Sequence, residues 1–184
     1  HKLTVTGAKW IDGHTLITGG WDDALQLWDV REGRSVRAIY GPQLGGDAVD
    51  VHPDGRTVVT GSARPRDQLQ FWDLGTGERI ANTPWPHEPR ADNPDIVDFT
   101  ATTCLSAKFS PDGKYVAAGG DHDFRIFDTE MMLDGRHLNA VCGELHTGGG
   151  TKRAVYGISW SPHGDYVAGC GGEVFVMAKK TGSE

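Results

Sequence analysis

The chain has 184 residues, 38% of them hydrophobic, and a formal charge of −7; that is enough apolar material for a sizeable core, and the wrong sign for a nucleic-acid binder that works by neutralising phosphates. No apolar run approaches the roughly eighteen residues of a membrane-spanning helix, and no secretory or transit pattern opens the sequence. Three scattered cysteines, Cys104, Cys142 and Cys170, form no C-x-x-C pair and are expected to be reduced core thiols in a cytoplasmic setting.

The first predicted elements are short strands at Leu3–Trp10, Thr15–Thr18, Ala24–Trp28 and Ser35–Tyr40. Thr15–Thr18 and Ala24–Trp28 are rich in branched and aromatic residues and flank a Gly19-Gly20-Trp21-Asp22-Asp23 turn, which reads as an antiparallel hairpin. A second unit, residues 45–82, offers strands at Thr57–Thr60, Leu69–Trp72 and Glu78–Ala81, with a longer hairpin tip at Gly61–Asp67. Residues 83–100 follow as a long loop, whose four prolines exclude helix and central strand.

A third unit, residues 101–141, has strands at Thr103–Phe109, Tyr115–Ala118, Phe124–Phe127 and Leu138–Val141, with Met131–Arg136 lengthening the turn before the last. Residues 143–153 form a second long loop around the flexible Gly148–Gly150. A fourth unit, residues 154–180, has strands at Ala154–Trp160, Tyr166–Ala168 and Val174–Met177, and Lys179–Gly182 matches the turn before an outer strand.

The units repeat one another. The pairs Trp28-Asp29 and Trp72-Asp73, with Phe127-Asp128 as a variant, end the third strand of a unit, and Val174–Met177 is a fainter copy. An apolar strand and a Gly turn precede each one, at Trp10–Gly13, Val51–Gly55, Phe109–Gly113 and Trp160–Gly164. Spacings of roughly forty to sixty residues suit a four-stranded sheet repeated side by side, since such a sheet has two apolar faces and needs neighbours on both. At these residues the chain resembles the WD-repeat β-propeller family, over nearly its whole length.

The resemblance implies an all-β fold, a propeller of four-stranded antiparallel blades, with three complete blades and a fourth lacking its outer strand. It also implies a buried tetrad of His1, Thr18, Asp22 and Trp28 in the first blade only, because Pro42, Thr100 and Thr151 stand at the histidine position of the others. Two bare blade faces would each forgo on the order of 10 kcal/mol of burial at about 25 cal/mol per Å². The chain is therefore expected to be part of a larger propeller, its C-terminal half, completed by blades of the same or another chain.

The resemblance further implies that the second-to-third-strand turns and the blade connections share one rim. That rim would gather Arg64, Pro65, Arg66, Trp85, His87, Arg90, Lys152 and Arg153; a Trp among several Arg is the composition of interaction hot spots. Asp121-His122-Asp123 falls where the repeat places an Asp, so a turn is favoured over a metal cluster. Asp92, Asp95 and Asp98 sit in a loop without a partner base and read as solvated. No G-x-S-x-G elbow or phosphate-binding loop is present. Trp10, Trp28, Trp72 and Trp160 are expected in the core, and Met131-Met132 over a blade edge.

The expected function is a non-enzymatic, cytoplasmic scaffold for protein–protein interactions within a multi-subunit assembly, of cytoskeletal or axonemal type, with no catalytic residue, cofactor, metal, membrane or nucleic-acid partner. The alternative is a module that recognises a peptide or small ligand in the propeller channel, near Asp47, Thr102, Thr103 and Lys152.

Overall fold

The computed structural model describes residues 1–64, 66–83, 103–121, 123–136, 140–146 and 154–178. They form four antiparallel sheets arranged as a four-bladed propeller-like body. The first sheet orders β1 (Val5–Trp10), β2 (Thr15–Gly20), β3 (Ala24–Asp29) and β4 (Arg34–Tyr40) side by side. The second contains β5 (Val49–Val51), β6 (Thr57–Gly61), β7 (Leu69–Asp73) and β8 (Arg79–Thr83). The third contains β9 (Cys104–Phe109), β10 (Tyr115–Gly120), β11 (Asp123–Asp128) and β12 (Val141–His146), with a one-turn helix α1 (Thr129–Leu133) ahead of β12. Among the described residues the fourth has three strands, β13 (Val155–Trp160), β14 (Tyr166–Gly171) and β15 (Val174–Ala178).

Each sheet is a meander of strands that pair antiparallel in chain order. Asp23 adopts φ 55°, a left-handed conformation that Asp tolerates better than most residues, and turns the β2–β3 hairpin. Gly55, Gly113 and Gly164 have φ of 69°, 74° and 76° and recur at the first turn of three sheets; only Gly adopts this conformation without steric cost.

The inner strands β1, β5, β9 and β13 stand next to one another in chain order, and the apolar faces meet between them. Ile17, Leu25 and Ile39 of the first sheet pack on Val49, Val58 and Trp72 of the second. Val59, Leu69 and Phe71 pack on Ala107, Val116 and Phe127 of the third. Ala117 and Phe124 pack on Val155, Ile158 and Val167 of the fourth. Close approach is obligatory at Gly19, where a Cβ would lie 2.7 Å from both Leu25 and Leu44. No comparable packing joins the fourth sheet to the first among the described residues.

Several expectations need correction. The outer strand of the third sheet is Val141–His146, not Leu138–Val141, so the connection expected from residue 143 begins later. The supposed extended turn at Met131–Arg136 is largely α1, started by Asp128, whose carboxylate accepts the Met131 N–H at 2.9 Å. Met132 is fully buried in the core between the second and third sheets rather than lying over an edge. Trp10 is 55% exposed, because β1 belongs to a face without a neighbouring sheet, while Trp72 is buried and Trp28 and Trp160 are half-buried. Of the thiols only Cys104 is a core group, and burial pushes it up to about 12. Cys142, on the outer strand β12, and Cys170, on the last sheet, are exposed.

Candidate functional site

Because β1 and β2 run antiparallel, the start of β1 lies beside the end of β2, with Val5 opposite Gly20. Inner-strand starts, second-to-third-strand turns and the connection 41–48 from the first sheet to the second therefore share one end of the body, here termed the upper rim. The sequence places there Trp21, Asp22 and Asp23 from the β2–β3 turn, Arg64, Arg66 and Asp67 from the β6–β7 turn, and Asp121 from the β10–β11 turn.

The first turn is held from below by a hydrogen-bond relay. Trp28 Nε1–H donates to Thr18 Oγ1 at 2.8 Å, Thr18 Oγ1 lies 2.7 Å from His1 Nε2, and His1 Nδ1 lies 2.8 Å from Asp22 Oδ1. The indole can only donate, so the Thr18 hydroxyl is free to donate to Nε2. That assigns the imidazole proton to Nδ1, facing the carboxylate. Asp22 also accepts the backbone N–H of Lys2 at 2.7 Å. These bonds satisfy a carboxylate with only 7% of its side chain exposed, where an unpaired charge would be costly. Half of the relay recurs in the second sheet, where Trp72 Nε1–H donates to Thr60 Oγ1 at 3.0 Å.

On this base stand two turns that touch each other. Arg64 Nη2 pairs with Asp23 Oδ1 at 2.6 Å, and Arg64 Nη1 donates to the carbonyl of Gly41 at 3.1 Å. The guanidinium expected to face a partner is thus engaged in clasping the second sheet's tip to the first. Both side chains are more than a third exposed, so the pair contributes about 1 kcal/mol at most and serves chiefly to fix geometry. Arg66 is exposed and has no ion pair among the described residues. Beside the clasp, Trp21 is 51% exposed, and its backbone is pinned by an N–H···O bond to Thr4 at 3.0 Å. An exposed Trp on a rigid turn next to Arg is the composition of a binding hot spot, whereas in the sequence Trp21 is simply one residue of a Gly/Asp turn.

Trp85, His87, Arg90, Lys152, Arg153, Pro65, Thr102 and His122 lie outside the described residues, as do Asp92, Asp95, Asp98 and Gly148–Gly150. Asp123 is buried and pairs with Arg125 at 3.3 Å. Asp47, a candidate for the channel, pairs with Lys108 at 3.0 Å. Among the described residues no group of three or more His, Cys, Asp or Glu could hold a metal ion.

Comparison with known proteins agrees with the repeats. The family described as WD domain, G-beta repeat matches residues 1–29, 98–128 and 142–176. The chain belongs to the WD-repeat family. Among curated relatives, Autophagy-related protein 16 of Arabidopsis thaliana is 26% identical over 70% of this chain and 24% of its own length. The WD repeat-containing protein RUP1 of the same plant is 29% identical over 69% of this chain and 33% of its own length. WD repeat-containing protein VIP3, again from Arabidopsis thaliana, is 25% identical over 93% of this chain and 51% of its own length. The chain thus spans about half or less of these relatives. The first matched segment contains the relay and Trp21 but stops short of Arg64 and Arg66.

Proposed function

We propose that this WD-repeat chain is a non-enzymatic scaffold that engages a protein partner through its upper rim. The observation that carries the reading is Trp21, half exposed on a turn that the relay and the Thr4 bond hold rigid, beside the Arg64–Asp23 clasp and the exposed Arg66. A pre-ordered aromatic anchor loses little conformational freedom on binding. Membership of a family of repeat proteins built around stiff, multi-bladed bodies supports the same reading.

The proposal extends to the assembly. The outward faces of the first and fourth sheets are covered by further blades, from the same or another chain, and the protein works in the cytoplasm. The acidic net charge favours a structural subunit, of cytoskeletal or axonemal type, over a nucleic-acid factor.

Quantitative affinity purification tests the rim. Trp21→Ser with Arg66→Glu should remove at least one protein that co-purifies with the parent while leaving the unfolding midpoint unchanged, since both side chains are exposed. An unaltered set of co-purifying proteins would refute the assignment.

A further inference from the structure

The opposite, lower rim carries the first-to-second-strand turns of the four sheets and the third-to-fourth-strand connections of the first three, and it holds a feature the scaffold reading does not use. Between the third and fourth sheets a cavity of about 360 Å³ is walled by Ile126, Trp160, Val167 and Met177, with Ala178 and Asp165 also lining it. Ile126, Trp160 and Met177 are apolar side chains covered on one side only, where they pack on the buried cluster between these sheets. Tyr115 lines this cavity and also a second hollow of about 450 Å³, bordered by Asp112, Asp128, Glu130 and Asp134. The two hollows adjoin at Tyr115, one mainly apolar and the other acidic, and are together termed the groove.

The charges do not balance. Five carboxylates, Asp112, Asp128, Glu130, Asp134 and Asp165, border the groove. The cations near them are Lys114, which lies 4.0 Å from Asp112, and Arg136, which is bound to Asp134 at 2.8 Å. Glu130 and Asp165 are exposed and have no ion pair among the described residues. Thr129, only 4% exposed, lines the acidic hollow, and its hydroxyl has no hydrogen-bond partner among the described residues. A buried hydroxyl left unpaired is unfavourable.

We propose that this groove binds a basic segment of a partner protein, with an apolar side chain in the cavity between the third and fourth sheets and flanking Lys or Arg over the carboxylates. The cavity suits a side chain the size of Leu or Phe, at the lower end of the volumes seen for ligand pockets. The negative surplus attracts cationic flanks and repels both nucleic acid and anionic lipid surfaces. The site is separate from the upper rim and does not depend on it.

Fluorescence anisotropy with the intact protein tests this, using a short labelled peptide with one central Phe between Lys-Arg pairs. Saturable binding is expected, with about a tenfold loss when the Phe is replaced by Ala, as for a modest hot spot. Ala178→Trp, which fills the cavity, should give a similar loss. The exposed pair Glu130→Lys with Asp165→Lys should weaken binding to a similar extent without burdening the fold, and added salt should weaken the parent. Equal binding by the Ala peptide, by a Glu-flanked peptide, or by both variants would overturn the proposal. So would preferential binding to phosphatidylserine-containing vesicles.

Discussion

Thr18 shows how much one hydroxyl decides at the residue scale. It accepts from Trp28 and faces His1, which in turn faces Asp22. Thr18→Val keeps the shape and strands two polar partners, so it should cost about 1–3 kcal/mol in urea unfolding; an unchanged midpoint would show that the relay is incidental. The four members of this relay were legible in the sequence because the family pattern fixes their spacing. The Thr60–Trp72 bond was not, because Pro42 stands at the histidine position and the pattern was sought whole. Its signal was the register: Leu16 faces Trp28 with Thr18 two residues on, and Val58 faces Trp72 with Thr60 two residues on. A diagonal across an antiparallel pair is within reach of an indole. The exposure of Trp10 and Cys170 was illegible for a different reason, since it depends on which faces have neighbours, and that of Cys142 follows from its place on an outermost strand.

At the scale of elements, the inner strands are tied by charge as well as by apolar contact. Asp50, buried on the three-residue strand β5, pairs with Lys9 of β1 at 2.7 Å and accepts the Phe109 N–H of β9 at 2.9 Å. Lys108 of β9 returns to Asp47 at 3.0 Å. Further out, Arg37 of β4 donates to the Gly75 carbonyl at 2.9 Å. Asp50→Ala would release Lys9 to water, where 43% of its side chain already lies, and would leave the buried Phe109 N–H unpaired. The expected cost is about 1–3 kcal/mol, with Asp50→Asn milder because it retains an acceptor. Denaturant unfolding of the two variants checks that order, and Ala equal to Asn would contradict it. The signal was present in the sequence, since Lys9, Asp50 and Lys108 occupy the same place in successive copies of one motif. Alternating signs along the repeat mark neighbours in space, which a reading of each blade alone passes over. The strands were legible from their short branched and aromatic runs, whereas α1, a single turn, was not.

At the scale of the whole molecule, burial is uneven. Every residue of β6 is buried between two neighbouring sheets. On the fourth sheet Val174 and Val176 are 76% and 63% exposed, and Tyr156 and Tyr166 are also exposed. On the first sheet Trp10 and Tyr40 are exposed at 55% and 79%. Exposed apolar side chains on these end faces would be stabilised on being covered by about 25 cal/mol per Å². We propose on these grounds a propeller body whose end faces are covered by further blades while its rims face partners. Size fractionation of the native protein, with mass spectrometry of each fraction, tests this most directly. The account predicts elution well above 19.9 kDa, the mass of this chain, together with polypeptide that supplies further WD repeats. Elution alone at 19.9 kDa, with both end faces open to solvent, would contradict it.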